Sequence, residues 1–156
     1  MKKVSFVIPC YRSANTIGVV VDEIRDTMPT LPEYDYEIIL VNDCSPDNTL
    51  EVISALALSD RHITAVDLAK NFGQHAALMS GISHSTGDFV VCLDDDGQTP
   101  ANEVGKLLAR LEQDDCDVAM ASYEHKQHSA FRNFGTKLNN RMTEIMLGKP
   151  RDLSMT

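Results

Sequence analysis

An α/β fold with a mostly parallel, Rossmann-like sheet flanked by helices is the fold class this sequence predicts. Three observations predict it. Short apolar, β-branched runs alternate along the chain with stretches whose apolar residues recur at helical spacing. The runs are apolar at successive positions, as strands buried on both faces must be. The polar turns that follow them carry Asn, Asp, Gly and Gln, and in such sheets ligands bind beyond the carboxyl ends of the strands.

Taken in order, Val4–Pro9 reads as a buried strand and CYRSAN as a polar turn. Ile17, Val20, Val21, Ile24 and Met28 then form one helical face, closed by Pro29 and Pro32. Glu37–Val41 is a second buried strand ending in Asn42 and Asp43. Ser45, Pro46, Asp47 and Asn48 supply capping groups and a first-turn proline for a helix to about Ser59, with Leu50, Ile53 and Ala57 inward. Ile63–Leu68 is a third strand, and the turn AKNFGQ leads into a small-residue helix from His75 to about His84. Phe89–Leu93 is a fourth strand. Pro100 and Asn102 open a helix with Val104, Leu107, Leu108 and Leu111 on one face, and Val118–Ser122 is expected to be a fifth strand. A last helix, roughly Ser129 to Leu147, carries a core stripe of Phe131, Phe134, Leu138, Met142 and Ile145 and stops at Gly148 and Pro150.

The bulk numbers bound the function. At 156 residues the chain is long enough for one domain with a real core. A net charge of −9 repels polyanions, which argues against a nucleic-acid surface. It does not forbid a single nucleotide, because a bound cation reverses the local sign. Cys10, Cys44, Cys92 and Cys116 form no CxxC pair and are expected to be reduced, buried thiols of a cytoplasmic protein. His125 and His128 read as solvated surface. The N-terminus MKKVSFVIP enters a strand without a signal peptide, and no apolar run approaches the ~20 residues that span a bilayer.

The chemistry concentrates in 90-VVCLDDDGQTP-100. At about 4 Å and an effective dielectric of roughly 20, each carboxylate pair costs on the order of 4 kcal/mol. Alternation along an extended chain lets Asp94 and Asp96 converge on one side while Asp95 points elsewhere. Two such carboxylates suit a hard divalent cation, Mg2+ or Mn2+, with positions left for phosphate oxygens, and the Gln98 carbonyl is a candidate third ligand. Asp43, also at a strand end, suits either hydrogen bonds to a base or ribose or, with Ser45, capping of the next helix. Asn71, Gly73 and Gln74 are placed to approach a nucleotide closely, with Lys70 near its phosphates.

VSFVIPCYRSANTI, EIILVNDCSPDNT, AKNFGQHAALMSGISHSTGDFVVCLDDDGQTP and FGTKLNNRMTEIMLGKPRDLS stand in the order seen in family-2 glycosyltransferases. The chain most resembles the polyprenyl-phosphate glycosyltransferases of the dolichyl-phosphate mannose synthase type. The resemblance implies an A-type glycosyltransferase fold and inverting transfer from a UDP- or GDP-sugar to a polyprenyl phosphate or a growing surface glycan. It implies that Pro9 and Tyr11 line the nucleoside pocket, that Asp43 contacts the base, and that Asp94, Asp96 and Gln98 hold the cation. Lys70, Asn71, Gly73 and Asp95 complete the nucleotide set. Arg132, Lys137 and Arg141 are candidates for an acceptor phosphate, and Asp152 for orienting the acceptor.

The sequence also departs from the family. Tyr11-Arg12-Ser13 stands where relatives commonly carry Tyr-Asn-Glu, Lys70-Asn71 where many carry Arg-Asn, and Gln98-Thr99-Pro100-Ala101 where they often read Gln-x-Pro-Pro. Relatives continue beyond RDLSMT, so residues 1–156 are expected to form a nucleotide-sugar-binding domain incomplete on its acceptor side. Peripheral membrane association and homo-oligomerisation are further expectations. A non-catalytic nucleotide-sugar-binding or interaction module is the alternative. A phospho-acceptor signalling domain would want acidic residues where the first strand ends in PCYRSAN, and no GxGxxG follows that strand for a Rossmann dehydrogenase.

Overall fold

The computed structural model describes residues 1–114 and 116–121, and residues Met1–Met120 cluster as one compact unit. The elements are β1 (Lys2–Cys10), α1 (Ile17–Thr27), β2 (Tyr34–Asn42), α2 (Thr49–Ser59), β3 (Ile63–Asp67), α3 (Gln74–His84), β4 (Phe89–Cys92) and α4 (Val104–Asp114). Short 3-10 turns at Met28–Thr30 and Ala101–Glu103 extend α1 and precede α4.

All four strands are parallel, in the order β3-β2-β1-β4. Strand alternation splits the apolar residues between two faces. Val4, Phe6, Ile8, Ile38 and Leu40 meet Ile17, Val20, Val21 and Ile24 of α1, Ile53 of α2, and Val104 and Leu108 of α4. On the other face Val7, Ile39 and Val41 pack against Ala77 of α3. The helical face expected from Ile17 to Met28 is the buried face of α1. Gly81 lets α3 lie directly on the sheet, because a Cβ there would collide with Val7 Cγ1 and stand 3.0 Å from Val41 Cγ2.

Three local expectations are corrected. Pro46 lies three residues before α2 rather than in its first turn; Asp47 serves that helix start instead, taking the Thr49 N–H at 3.3 Å. Residues 118–121 form no strand, and nothing in the described chain ladders onto the outer edge of β4 to make one. Of the cysteines only Cys10 is buried; Cys44, Cys92 and Cys116 are exposed, Cys92 on an edge strand and the other two in connecting segments. All four are free thiols. The expected helix from Ser129 to Leu147, together with His125 and His128, lies outside the described residues.

Toward the amino ends of the strands, the Glu37 carboxylate gathers Lys3 Nζ at 2.7 Å, Ser5 Oγ at 2.6 Å and the Thr86 N–H at 2.6 Å. These bonds hold its pKa down at about 2 against the cost of burial. They tie β1, β2 and the turn before β4 together at the end remote from the polar rim.

Candidate donor-binding site

Strand order reverses at β1, where β2 leaves on one side and β4 on the other. That is the topological switch point, and a cleft of about 500 Å³ opens there. Its walls come from four strand ends: Pro9, Cys10 and Tyr11 after β1; Asp43 after β2; Asn71, Gly73 and Gln74 after β3; and Asp94, Asp95 and Asp96 after β4.

Asp43 is buried, 3% exposed. Its Oδ1 accepts the Phe72 N–H and its Oδ2 the Gly73 N–H, each at 2.8 Å, and its own carbonyl accepts Asn71 Nδ2 at 3.1 Å. The capping alternative is therefore corrected: Asp43 does not cap α2 but organises the loop that enters α3. Gly73, at φ 89°, occupies the N-cap position of α3. Lys70 does not line the cleft; its Nζ lies over the Phe72 ring, 4.9 Å from the centroid.

The three aspartates diverge. Asp95 is half-buried, and its Oδ2 accepts the Tyr11 N–H at 3.2 Å and the Ser13 hydroxyl. Asp94 and Asp96 are exposed; Gln74 Nε2 donates to Asp94 Oδ1 at 3.1 Å, and the Gln98 N–H to Asp96 Oδ1 at 2.9 Å. Gly97, at φ 72°, makes the turn. Partial desolvation and the charges of Asp96 and Asp95 raise the Asp94 pKa.

This donor set fits a divalent cation. Mg2+ is commonly held by one or two carboxylates plus substrate phosphates, not by a full protein cage. Two open carboxylates on a site already crowded with negative charge meet that description. Among the described residues no group of three His, Cys, Asp or Glu side chains is arranged around a common metal position. The Gln98 side chain is not among the cleft's lining. Arg132, Lys137, Arg141 and Asp152 lie outside the described residues. Cys10, read from the sequence only as a buried thiol, also lines the cleft; its signal was its position next to Tyr11 at the end of β1.

Residues 5–155 match the sequence profile of glycosyl transferase family 2. The chain belongs to glycosyl transferase family 2. It is 37% identical over 150 residues to an undecaprenyl-phosphate 4-deoxy-4-formamido-L-arabinose transferase of Yersinia enterocolitica serotype O:8, covering 96% of this chain and 45% of that protein. It thus spans less than half the length of that family-2 relative. The mannosyltransferase PcManGT from Pyrobaculum calidifontis, in complex with GDP-Man and Mn2+, matches at a TM-score of 0.61 and 25% identity, over 70% of this chain and 32% of its own. TarS 1-349 of S. aureus, in complex with UDP, matches at a TM-score of 0.63 and 20% identity over 81% of this chain and 38% of its own. The latter likeness is one of fold. The parallel sheet and its neighbours make this the A-type glycosyltransferase fold of family 2.

Proposed function

We propose that the chain is the donor-binding portion of a metal-dependent, inverting glycosyltransferase that transfers a sugar from a UDP- or GDP-sugar to a polyprenyl phosphate or a growing surface glycan. The observation that carries this reading is the cleft at the switch point, where Asp94 and Asp96 stand open while Asp95 is tied to the opposite loop. The name of the Yersinia relative supports the polyprenyl-phosphate acceptor. The GDP-Man and Mn2+ of PcManGT support a nucleotide-sugar and a cation.

In this reading Pro9, Tyr11 and Asp95 face the nucleoside, and Asn71 and Gly73 bring backbone close to it. Asp43 acts chiefly by holding that loop, since each of its oxygens already takes an amide. Lys70 reaches the phosphates by leaving the Phe72 ring. Asp94 and Asp96 would hold Mg2+ or Mn2+, with Gln98 as a further ligand. When bound, the cation supplies Lewis-acid neutralisation of the charge that develops on the leaving nucleoside diphosphate. A polyprenyl phosphate oxygen is already ionised near neutral pH, so a strong general base is not required of the protein. Arg132 and Arg141 are the proposed phosphate holders and Asp152 the orienting carboxylate.

No helix among the described residues is long and apolar enough to cross a membrane. The proposed location is cytoplasmic, at the inner membrane face, where a polyprenyl phosphate is reached by peripheral association. Homo-oligomerisation is compatible with this reading.

Calorimetric titration of UDP and GDP, with and without Mn2+, on the native chain and on Asp96→Ala tests the donor site. Mn2+-dependent binding of one nucleotide, lost in the variant, is expected. A folded native chain that binds neither nucleotide overturns the reading. Transfer assayed on a chain of the relatives' full length separates an enzyme from the alternative, a non-catalytic binding module.

A further inference from the structure

Three adjacent carboxylates must be held against their own repulsion before any cation arrives. The structure supplies a donor to each from a different source: Gln74 to Asp94, the turn's own Gln98 N–H to Asp96, and the loop after β1 to Asp95. In that last contact the side chain involved is Ser13, 2% exposed.

Ser13 uses its polar groups in three directions. Its carbonyl accepts the Thr16 and Ile17 N–H groups, both at 3.0 Å, and so starts α1. Its N–H donates to Thr49 Oγ1 at 2.9 Å, and the fully buried Thr49 donates its hydroxyl to Asp47 Oδ1 at 2.6 Å. Its hydroxyl is turned to Asp95. A serine at a helix entry ordinarily spends its oxygen on the helix's own free N–H groups. Here the start of α1 has no side-chain cap at all, and the hydroxyl reaches across to a residue 82 positions away. The result is a continuous chain, Asp47–Thr49–Ser13–Asp95, from the loop that enters α2 to the acidic turn.

We propose that Ser13, held by Thr49, is a positioning residue of the cation site: by drawing Asp95 onto the loop after β1 it leaves Asp94 and Asp96 as the pair presented to a divalent cation. Asp95 and Asp96 lie in a turn, and with Asp95 tied to Tyr11 and Ser13 the carboxylates of Asp94 and Asp96 are left with one donor each, Gln74 Nε2 and the turn's own Gln98 N–H. The inference deepens the donor-site reading and rests on it. It gives a buried hydroxyl work that a loop serine does not otherwise need.

The test compares native chain, Ser13→Ala, Ser13→Cys and Ser13→Thr. Free Mn2+ is followed by electron paramagnetic resonance without nucleotide, and UDP and GDP binding is followed by calorimetry with and without Mn2+. Outer partners of metal ligands are typically worth 10–100-fold in metal affinity, and Ser13 acts one residue further out, through Asp95 beside the two ligands. Ser13→Ala and Ser13→Cys are expected to weaken Mn2+ binding without nucleotide by about tenfold, the low end of that range. Ser13→Thr, which keeps the hydroxyl, is expected to restore most of the Mn2+ affinity. Thermal melts of all four run alongside, and either folded variant without the hydroxyl suffices. A folded Ser13→Ala or Ser13→Cys with native Mn2+ affinity overturns the proposal, whatever its change in stability. A native chain that binds Mn2+ but neither nucleotide overturns the donor-site reading while the variants still decide the role of Ser13. A native chain that binds no Mn2+ under either condition overturns both.

Discussion

Asp43 and Gly73 are 30 residues apart in sequence, yet Asp43 Oδ2 accepts the Gly73 N–H at 2.8 Å while Oδ1 accepts the neighbouring Phe72 N–H at the same distance. One buried carboxylate thus fixes the entry of α3 and the loop that forms one wall of the cleft. Asp43→Asn leaves a single acceptor oxygen and points an NH2 group at a backbone donor. A buried amide left unsatisfied costs ~1–3 kcal/mol, and a loss of stability in that range is expected from urea denaturation. Faster hydrogen exchange at Phe72 and Gly73, without change at the β1 amides, would locate the loss in this loop.

Gly73 itself has φ 89° and ψ 159°, and a Cβ built there meets no atom within 4 Å. Any cost of Gly73→Ala is therefore one of backbone conformation, on the order of 1–3 kcal/mol. Gly81→Ala is the opposite case, a normal helical position where the Cβ collides with Val7 of a packed sheet face. Overpacking of that kind typically costs ~1–3 kcal/mol. The two alanines separate in a second substitution. Val7→Ala is expected to recover part of the loss in Gly81→Ala and to add its own loss in Gly73→Ala, measured as a double-mutant cycle.

Apolar periodicity made the scaffold legible. The burial of Ile17, Val20, Val21 and Ile24 and the four parallel strands follow from spacing and β-branching, which are local properties. The rim was legible too, because polar residues cluster where strands end. The partners within the rim were not. Whether Asp43 caps α2 or reaches Gly73 depends on β2 and β3 lying side by side, and the bond of Ser13 to Asp95 depends on β1 and β4 doing so. No local pattern encodes that. The fifth strand failed for a related reason: Val118 and Met120 have strand-like character but no strand among the described residues to pair with, and both are exposed.

Glu37 sets an acid limit on stability. Its pKa is held at about 2 in the folded chain, chiefly by Lys3 and Ser5 working against burial, whereas an unfolded glutamate titrates near 4.3. A carboxyl whose folded pKa is depressed adds stability above the unfolded value, and that stability is lost as pH falls toward the folded one. Native stability measured by urea is therefore expected to decline from about pH 4.5 down to about pH 2. Glu37→Gln should be less stable by about 2 kcal/mol at pH 7 and flatter across that acid range. Parallel profiles for the two proteins would remove Glu37 as the cause.

Asp94 has the reverse sign. Desolvation and its neighbours Asp96 and Asp95 raise its pKa, so ionising it works against the fold. A carboxyl with a raised folded pKa lowers stability as pH rises through its titration and restores it on acidification. Asp94→Asn removes that repulsion while keeping an oxygen that Gln74 can reach. Its Tm at pH 7 is expected to lie at or above the native value in metal-free buffer. Mn2+ should then separate the two. Binding to the folded state alone raises Tm by mass action, so the native chain gains in Mn2+ while Asp94→Asn, with one anionic ligand fewer, gains less. A variant destabilised without Mn2+ and equally shifted by it would mean that Asp94 serves the fold and not the cation.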